Sequence, residues 1–197
     1  LRHRFGAASA IAYLCAVDRC ECGFMRKGSF GPFGRAKSRC SMPFSSLGLS
    51  TPLLQALADQ QYTEAYPIQK EAIPVILKGK DLLALAPTGS GKTASFVLPI
   101  LEMLQHRPPL RNRFIWALVL APTRELAAQI EEVFKQLASK MAHRPKTLAV
   151  YGGVSINPQM IQMRGVEILV ATPGRLLDLV SNNALQLGEV EILVLDE

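Results

Sequence analysis

The eight residues Ala86-Pro87-Thr88-Gly89-Ser90-Gly91-Lys92-Thr93 constrain this chain more than any other stretch. An apolar run over residues 82–86 leads into them, and a helix-patterned segment over about residues 92–105 leaves them. A strand, a glycine-rich turn and a helix opening on Lys-Thr is the context a phosphate-binding loop needs. The glycines let backbone N–H groups curl round phosphate oxygens, and the helix N-terminus adds a favourable dipole. In this reading Thr88, Gly89, Ser90 and Gly91 cradle the phosphates of a nucleotide. Lys92 neutralises the β- and γ-phosphates, and the Thr93 hydroxyl ligates Mg²⁺. A structural glycine turn beside an unrelated lysine is the alternative, and it leaves the agreement of every position unexplained.

The flanking pattern repeats the same cycle. Residues 49–60 read as a short helix with Leu49, Leu53, Leu54 and Leu57 on one side, and Pro52 suits a first helical position. Residues 67–77 give a second helical pattern, interrupted by Pro74. Strand candidates then fall at 82–86, 115–121, 147–151, 167–171 and 192–195, with helices at 124–139 and near 175–180. Short apolar strands alternating with helices predict an α/β domain with a mainly parallel sheet flanked by helices. In such sheets ligands gather beyond the carboxyl ends of the strands.

Each remaining motif stands at a strand end. Asp196-Glu197 follows Ile192-Leu193-Val194-Leu195. There Asp196 is placed to hold Mg²⁺, directly or through water, and Glu197 to orient and deprotonate an attacking water. Acids after a strand are common, so the pair gains its meaning from the phosphate loop. Pro122-Thr123-Arg124-Glu125-Leu126-Ala127 and Thr172-Pro173-Gly174-Arg175-Leu176 each put Thr, backbone N–H groups and Arg at a helix start. That arrangement grips a phosphodiester backbone, as does Gly152-Gly153 after another strand. Each is otherwise an ordinary turn and cap, with Arg124 and Arg175 pairing to local acids. Upstream, Gln69 follows Pro67 and Ile68; a carboxamide both donates and accepts, and so reads the adenine N6/N7 edge. Phe44 and Tyr62 are candidates to pack near the base, with a core anchor as the plainer reading of Phe44.

Charge separates the chain into two segments. The formal net charge is +6. Residues 1–41 carry eight Lys/Arg, two acids and all four cysteines, and residues 42–197 carry 14 of each sign. The first segment is rich in glycine after Val17 and reads as a basic, flexible leader, with residues 7–17 apolar enough for a short helix or strand. Cys20-Glu21-Cys22 is too tightly spaced for a zinc pair, so unpaired thiols are expected there. Met42-Pro43-Phe44 opens the sustained pattern. Natural translation is therefore expected at Met42, with residues 1–41 as extraneous upstream sequence. A native basic extension that touches nucleic acid is the alternative. No apolar stretch approaches the 18 residues of a membrane span, and a cytoplasmic protein is expected.

Together these residues resemble the first RecA-like domain of a DEAD-box RNA helicase over about residues 43–197. Gln69, Tyr62 and Phe44 resemble the adenine-reading Q motif; residues 86–93 resemble motif I, 122–127 motif Ia, Gly152-Gly153 the GG element and 172–176 motif Ib. Asp196-Glu197 resembles the first half of motif II. The compact start is similar to the bacterial RhlE-like branch. Departures are Gln61 and Ala65 where the family often has Gly and Pro, and Pro87 in place of a frequent Gln. The rest of motif II, the Ser-Ala-Thr motif and the second RecA-like domain are not in this sequence. The resemblance implies ATP and Mg²⁺ as cofactors, RNA and a second RecA-like domain as partners, and local ATP-dependent opening of short RNA duplexes in the whole protein. It also implies a setting in ribosome assembly or RNA decay. The segment alone is expected to bind nucleotide, and RNA weakly. Neutral residues 42–197 fit a groove of backbone amides and a few arginines. A DNA helicase of the same superfamily and a non-enzymatic RNA scaffold are the rivals; RNA against DNA stimulation of ATPase separates the first, and turnover itself the second.

Overall fold

The computed structural model describes residues 10–16, 43–107 and 115–196 of the 197. Six strands build one sheet: β1 (Ala10–Ala16), β2 (Leu82–Ala86), β3 (Ala117–Leu120), β4 (Thr147–Val150), β5 (Ile168–Ala171) and β6 (Ile192–Asp196). Their spatial order is β2-β1-β6-β3-β5-β4, and every pairing is parallel. Among the described residues six helices connect or flank them: α1 (Thr51–Asp59), α2 (Pro67–Leu77), α3 (Lys92–Gln105), α4 (Arg124–Leu137), α5 (Ile156–Gln162) and α6 (Pro173–Ser181). A 3₁₀ turn at Phe44–Leu47 precedes α1. The predicted α/β architecture is the one observed.

The strand sequences explain why the sheet is covered on both faces. Side chains alternate across a strand. Accordingly Ala117, Val119, Ile168, Val170, Ile192 and Val194 enter one core, while Leu118, Leu169, Ala171 and Leu193 enter a second. The first core includes Phe96 of α3 and Phe134 of α4, fully buried with ring centroids 6.4 Å apart. The second includes Leu176 and Leu179 of α6. Runs that are apolar at every position can satisfy both layers at once, which is why they read as continuous rather than alternating. Strand β2 differs: Ala84 and Ala86 are buried, whereas Leu83 and Leu85 are 65% and 56% exposed.

Two differences from the sequence expectations have physical causes, and one open reading is decided. Helix α2 runs through Pro74 instead of breaking there; burial of Ala72, Ile73 and Ile76 around it offsets the lost backbone donor. Helix α5 was not predicted, because its seven residues include Pro158 and carry no apolar repeat long enough to register. Strand β1 falls within residues 7–17, where the sequence allowed a short helix or strand, and it takes the strand form. It pairs with β2 on one side and β6 on the other, with Leu14 in register with both Ala84 and Asp196. A parallel strand there supplies partners to backbone groups on two strands that do not pair with each other. The remainder of the leader, its Cys20, Cys22 and Cys40, and the start expected at Met42 lie outside the described residues.

Candidate functional site

Strand β2 ends at Ala86, the chain turns over residues 87–91, and α3 begins at Lys92. Gly89 and Gly91 hold φ of +75° and +81°, a region that L side chains rarely adopt. The N-cap of α3 is Gly91, which has no side chain to cap it, so the positive end of a 14-residue helix dipole faces the loop. The Ser90 hydroxyl is buried and makes no hydrogen bond. Space is open around Gly89. An uncapped helix start, an unused buried hydroxyl and an open turn match the donor set that phosphate oxygens require. Lys92 is 8% exposed, and Thr93, the next residue, is half-buried.

Gln69 is fully buried and turned toward this loop. Its Oε1 accepts from the Tyr66 N–H at 2.9 Å, and its Nε2 donates to the Gly91 carbonyl at 3.1 Å. The contact is close enough that a Cβ on Gly91 would lie 2.5 Å from Nε2. Next to it, Tyr62, Thr63, Tyr66, Pro67 and Lys70 border a cleft of about 730 Å³, a size that suits a small ligand. Tyr62 stands edge-on to Phe44, ring centroids 6.4 Å apart, and Phe44 itself is buried in the core. The fold thus brings Gln69 to the phosphate loop and Tyr62 to the cleft, with Phe44 behind Tyr62.

Asp196 closes β6 and is 4% exposed. Its register with Leu14, and that of Leu14 with Ala84, sets it two strand spacings from β2, about 9.6 Å. Glu197 lies outside the described residues. Among the described residues no cluster of three or more His, Cys, Asp or Glu could hold a metal ion. A Mg²⁺ here would rely on Thr93, Asp196 and ligand phosphates, the usual sparse protein coordination of that ion.

The second group of motifs shares the same sheet edge. Leu120, Ala171 and Val150 end β3, β5 and β4 in level register. Beyond Leu120, Pro122, Thr123 and Arg124 are exposed. Thr123 caps α4 by accepting the Leu126 N–H at 3.2 Å. Arg124 donates to Glu125 at 2.7 Å. That hydrogen bond raises the pKa of Arg124 and holds the Glu125 carboxyl below its ordinary range. Beyond β4, Gly152 and Gly153 are exposed, and a Cβ on Gly153 would lie 3.9 Å from a guanidinium nitrogen of Arg124. Beyond β5, Thr172 donates its N–H to Val150 at 3.0 Å, and Pro173-Gly174 open α6 to solvent. Arg175 departs from this exposed row, being 7% exposed with its guanidinium bonded inside the domain. Gln159 on α5, its buried partner, has no counterpart among the sequence candidates; only its Gln side chain on an otherwise unreadable helix hinted at it.

A family model described as DEAD/DEAH box helicase matches residues 66–197. The chain is 40% identical over 193 residues to the DEAD-box ATP-dependent RNA helicase 3A, chloroplastic, of Zea mays, covering 92% of this chain and 25% of the relative. It is 47% identical over 158 residues to the DEAD-box ATP-dependent RNA helicase CshA of Streptococcus pneumoniae, covering 79% and 29%. Among solved structures, a DEAD box protein from the hyperthermophile Methanococcus jannaschii superposes with a TM-score of 0.70 at 38% identity, over 79% of this chain and 41% of that one. The chain therefore spans about a quarter of the length of these curated relatives.

Proposed function

The chain belongs to the DEAD/DEAH box helicase family, and from that premise we propose that residues 42–197 are the first RecA-like, ATP-binding domain of an ATP-dependent RNA helicase. The observation that carries this reading is the phosphate loop at the end of β2 with the Gln69 carboxamide bonded to it. In the whole protein a second RecA-like domain completes the site, and this segment alone binds nucleotide and hydrolyses it negligibly. We place the parent in the RhlE-like branch, in the cytoplasm, and in ribosome assembly or RNA decay. No described helix is long and apolar enough to cross a membrane.

The roles follow from chemistry and position. Thr88, Gly89, Ser90 and Gly91 offer backbone and hydroxyl donors to phosphate oxygens. Lys92 neutralises their charge, and Thr93 with Asp196 would hold Mg²⁺. When bound, that ion neutralises charge on the β- and γ-phosphate oxygens. Glu197 orients the attacking water and takes its proton. Tyr62, backed by Phe44, borders the cleft for the base. Gln69 reads the adenine and, through Gly91, senses the loop. Pro122, Thr123, Arg124, Gly152, Gly153, Thr172, Pro173 and Gly174 form the face for the sugar-phosphate backbone of RNA, contacted without base specificity, and Arg175, expected among them from the sequence, is buried behind it.

Equilibrium binding of a fluorescent ATP analogue tests the reading. Lys92→Ala should abolish binding, Gln69→Ala should erase preference for ATP over GTP, and Glu197→Gln in the whole protein should retain ATP and stall hydrolysis. Undiminished ATP binding by Lys92→Ala would refute it.

A further inference from the structure

We propose that Arg175 is a positioning residue which, with Gln159, fixes the Gly152-Gly153 turn for RNA, and that it does not meet phosphate itself. This rests on the reading of the sheet edge as the RNA face. Arg175 Nη2 donates to the Val154 carbonyl at 2.7 Å, and Nη1 donates to Gln159 Oε1 at 2.9 Å. Gln159 Nε2 in turn donates to the Tyr151 carbonyl at 3.3 Å. The two carbonyls flank the two glycines. One buried arginine and one buried glutamine therefore hold both shoulders of an exposed turn.

The turn needs such a hold. Gly152 has open space where a Cβ would stand, Gly153 sits at φ +84°, and the following helix α5 has seven residues and no side-chain N-cap. Two adjacent glycines lose more conformational freedom on ordering than any other pair. The guanidinium is suited to the task because its planar fork engages two acceptors at fixed angles. Its Nε is buried without a hydrogen bond, with Asp178 Oδ2 3.6 Å away. To reach a phosphate, Arg175 would have to leave both acceptors and desert Gln159 inside the domain. Arg124, 65% exposed and beside Gly153, has no such obstacle.

The test uses the whole chain with a fluorescein-labelled oligo-uridine RNA, titrated at several salt concentrations, and hydrogen exchange at residues 152–155 without RNA. Gln159→Leu should weaken RNA binding about as much as Arg175→Ala, on the order of tenfold, the equivalent of ~1.4 kcal/mol. The double variant should be no weaker than either single one. The salt slope should be retained, exchange at the turn should quicken, and nucleotide affinity should stay unchanged. Arg175→Lys should not rescue, since an ammonium lacks the fork. Gln159→Glu keeps the acceptor for Arg175 and removes the donor to Tyr151, so it should quicken exchange even if Gln159→Leu misfolds. Wild-type RNA affinity and slow exchange in both Gln159 variants would overturn the proposal. A salt slope reduced by about one in Arg175→Ala would do the same, because that marks a direct phosphate contact. A wild-type chain that binds no RNA would defeat the RNA reading, while exchange at the turn would still decide the latch.

Discussion

Gly91→Ala should cost this domain far more than Gly89→Ala, although both glycines hold the same left-handed conformation in the same loop. A side chain at φ +81° or +75° costs roughly 1–3 kcal/mol in either case. At Gly89 the cost ends there, because nothing lies within 4 Å of an added Cβ. At Gly91 the Cβ meets Gln69 Nε2 at 2.5 Å and Tyr66 Cδ2 at 2.9 Å. Tyr66 is 50% exposed and its ring can rotate away, but Gln69 is 0% exposed and has nowhere to go. Displacing it breaks the bonds to the Gly91 carbonyl and from the Tyr66 N–H. Each is worth ~1 kcal/mol net, and more where a buried partner is left unpaired, so about 2–4 kcal/mol is added. Urea unfolding should show the two midpoints separated by that difference at unchanged slope. In a Gln69→Ala background most of the separation should vanish, since the two residues share one contact. Equal midpoints for the two alanine variants, or no relief from Gln69→Ala, would show that Gln69 does not brace the loop.

Other perturbations probe other layers. Leu14→Pro removes a backbone donor from the middle of β1, so hydrogen exchange should quicken at Leu82–Ala86 and Ile192–Asp196, the strands it joins. Phe134→Ala empties a fully buried ring site against Phe96 and should cost about 3–5 kcal/mol, read as a lowered thermal midpoint. Glu125 has its pKa lowered by the hydrogen bond from Arg124. Any stabilisation from this pair is present above the ordinary carboxylate pKa and is lost as pH falls through the lowered one. Both groups are exposed, so an NMR titration should show the shift while unfolding stability stays level between Arg124→Gln and wild type over that window.

Local features were legible because their causes are local. Glycines at 89 and 91 are needed for backbone conformation alone, and that need shows in the sequence without a partner. Thr123 caps the helix it precedes, three residues from its hydrogen-bond donor. Strands β3, β5 and β6 were readable because burial on both faces demands apolar residues along them, while β2 reads the same way although Leu83 and Leu85 are exposed. Helix α5 was not, since its side chains answer to distant contacts: Gln159 bonds to Arg175, 16 residues away. Gln69 shows the boundary. Its place behind Pro67 and Ile68, upstream of the phosphate loop, pointed to a functional carboxamide, yet nothing near it in the chain announced Gly91, 22 residues on, as its acceptor.

By itself, then, the sequence determined the α/β class, the phosphate loop and the row of motifs at strand ends, because periodicity, glycine conformation and capping act within a few residues. Tertiary structure alone decided that Ala10–Ala16 stands between β2 and β6, that Arg124 faces solvent while Arg175 is buried, and that Gln69 locks onto the loop. Those outcomes depend on which backbone groups lack partners once distant segments meet, and on which side chains the packed helices leave in water.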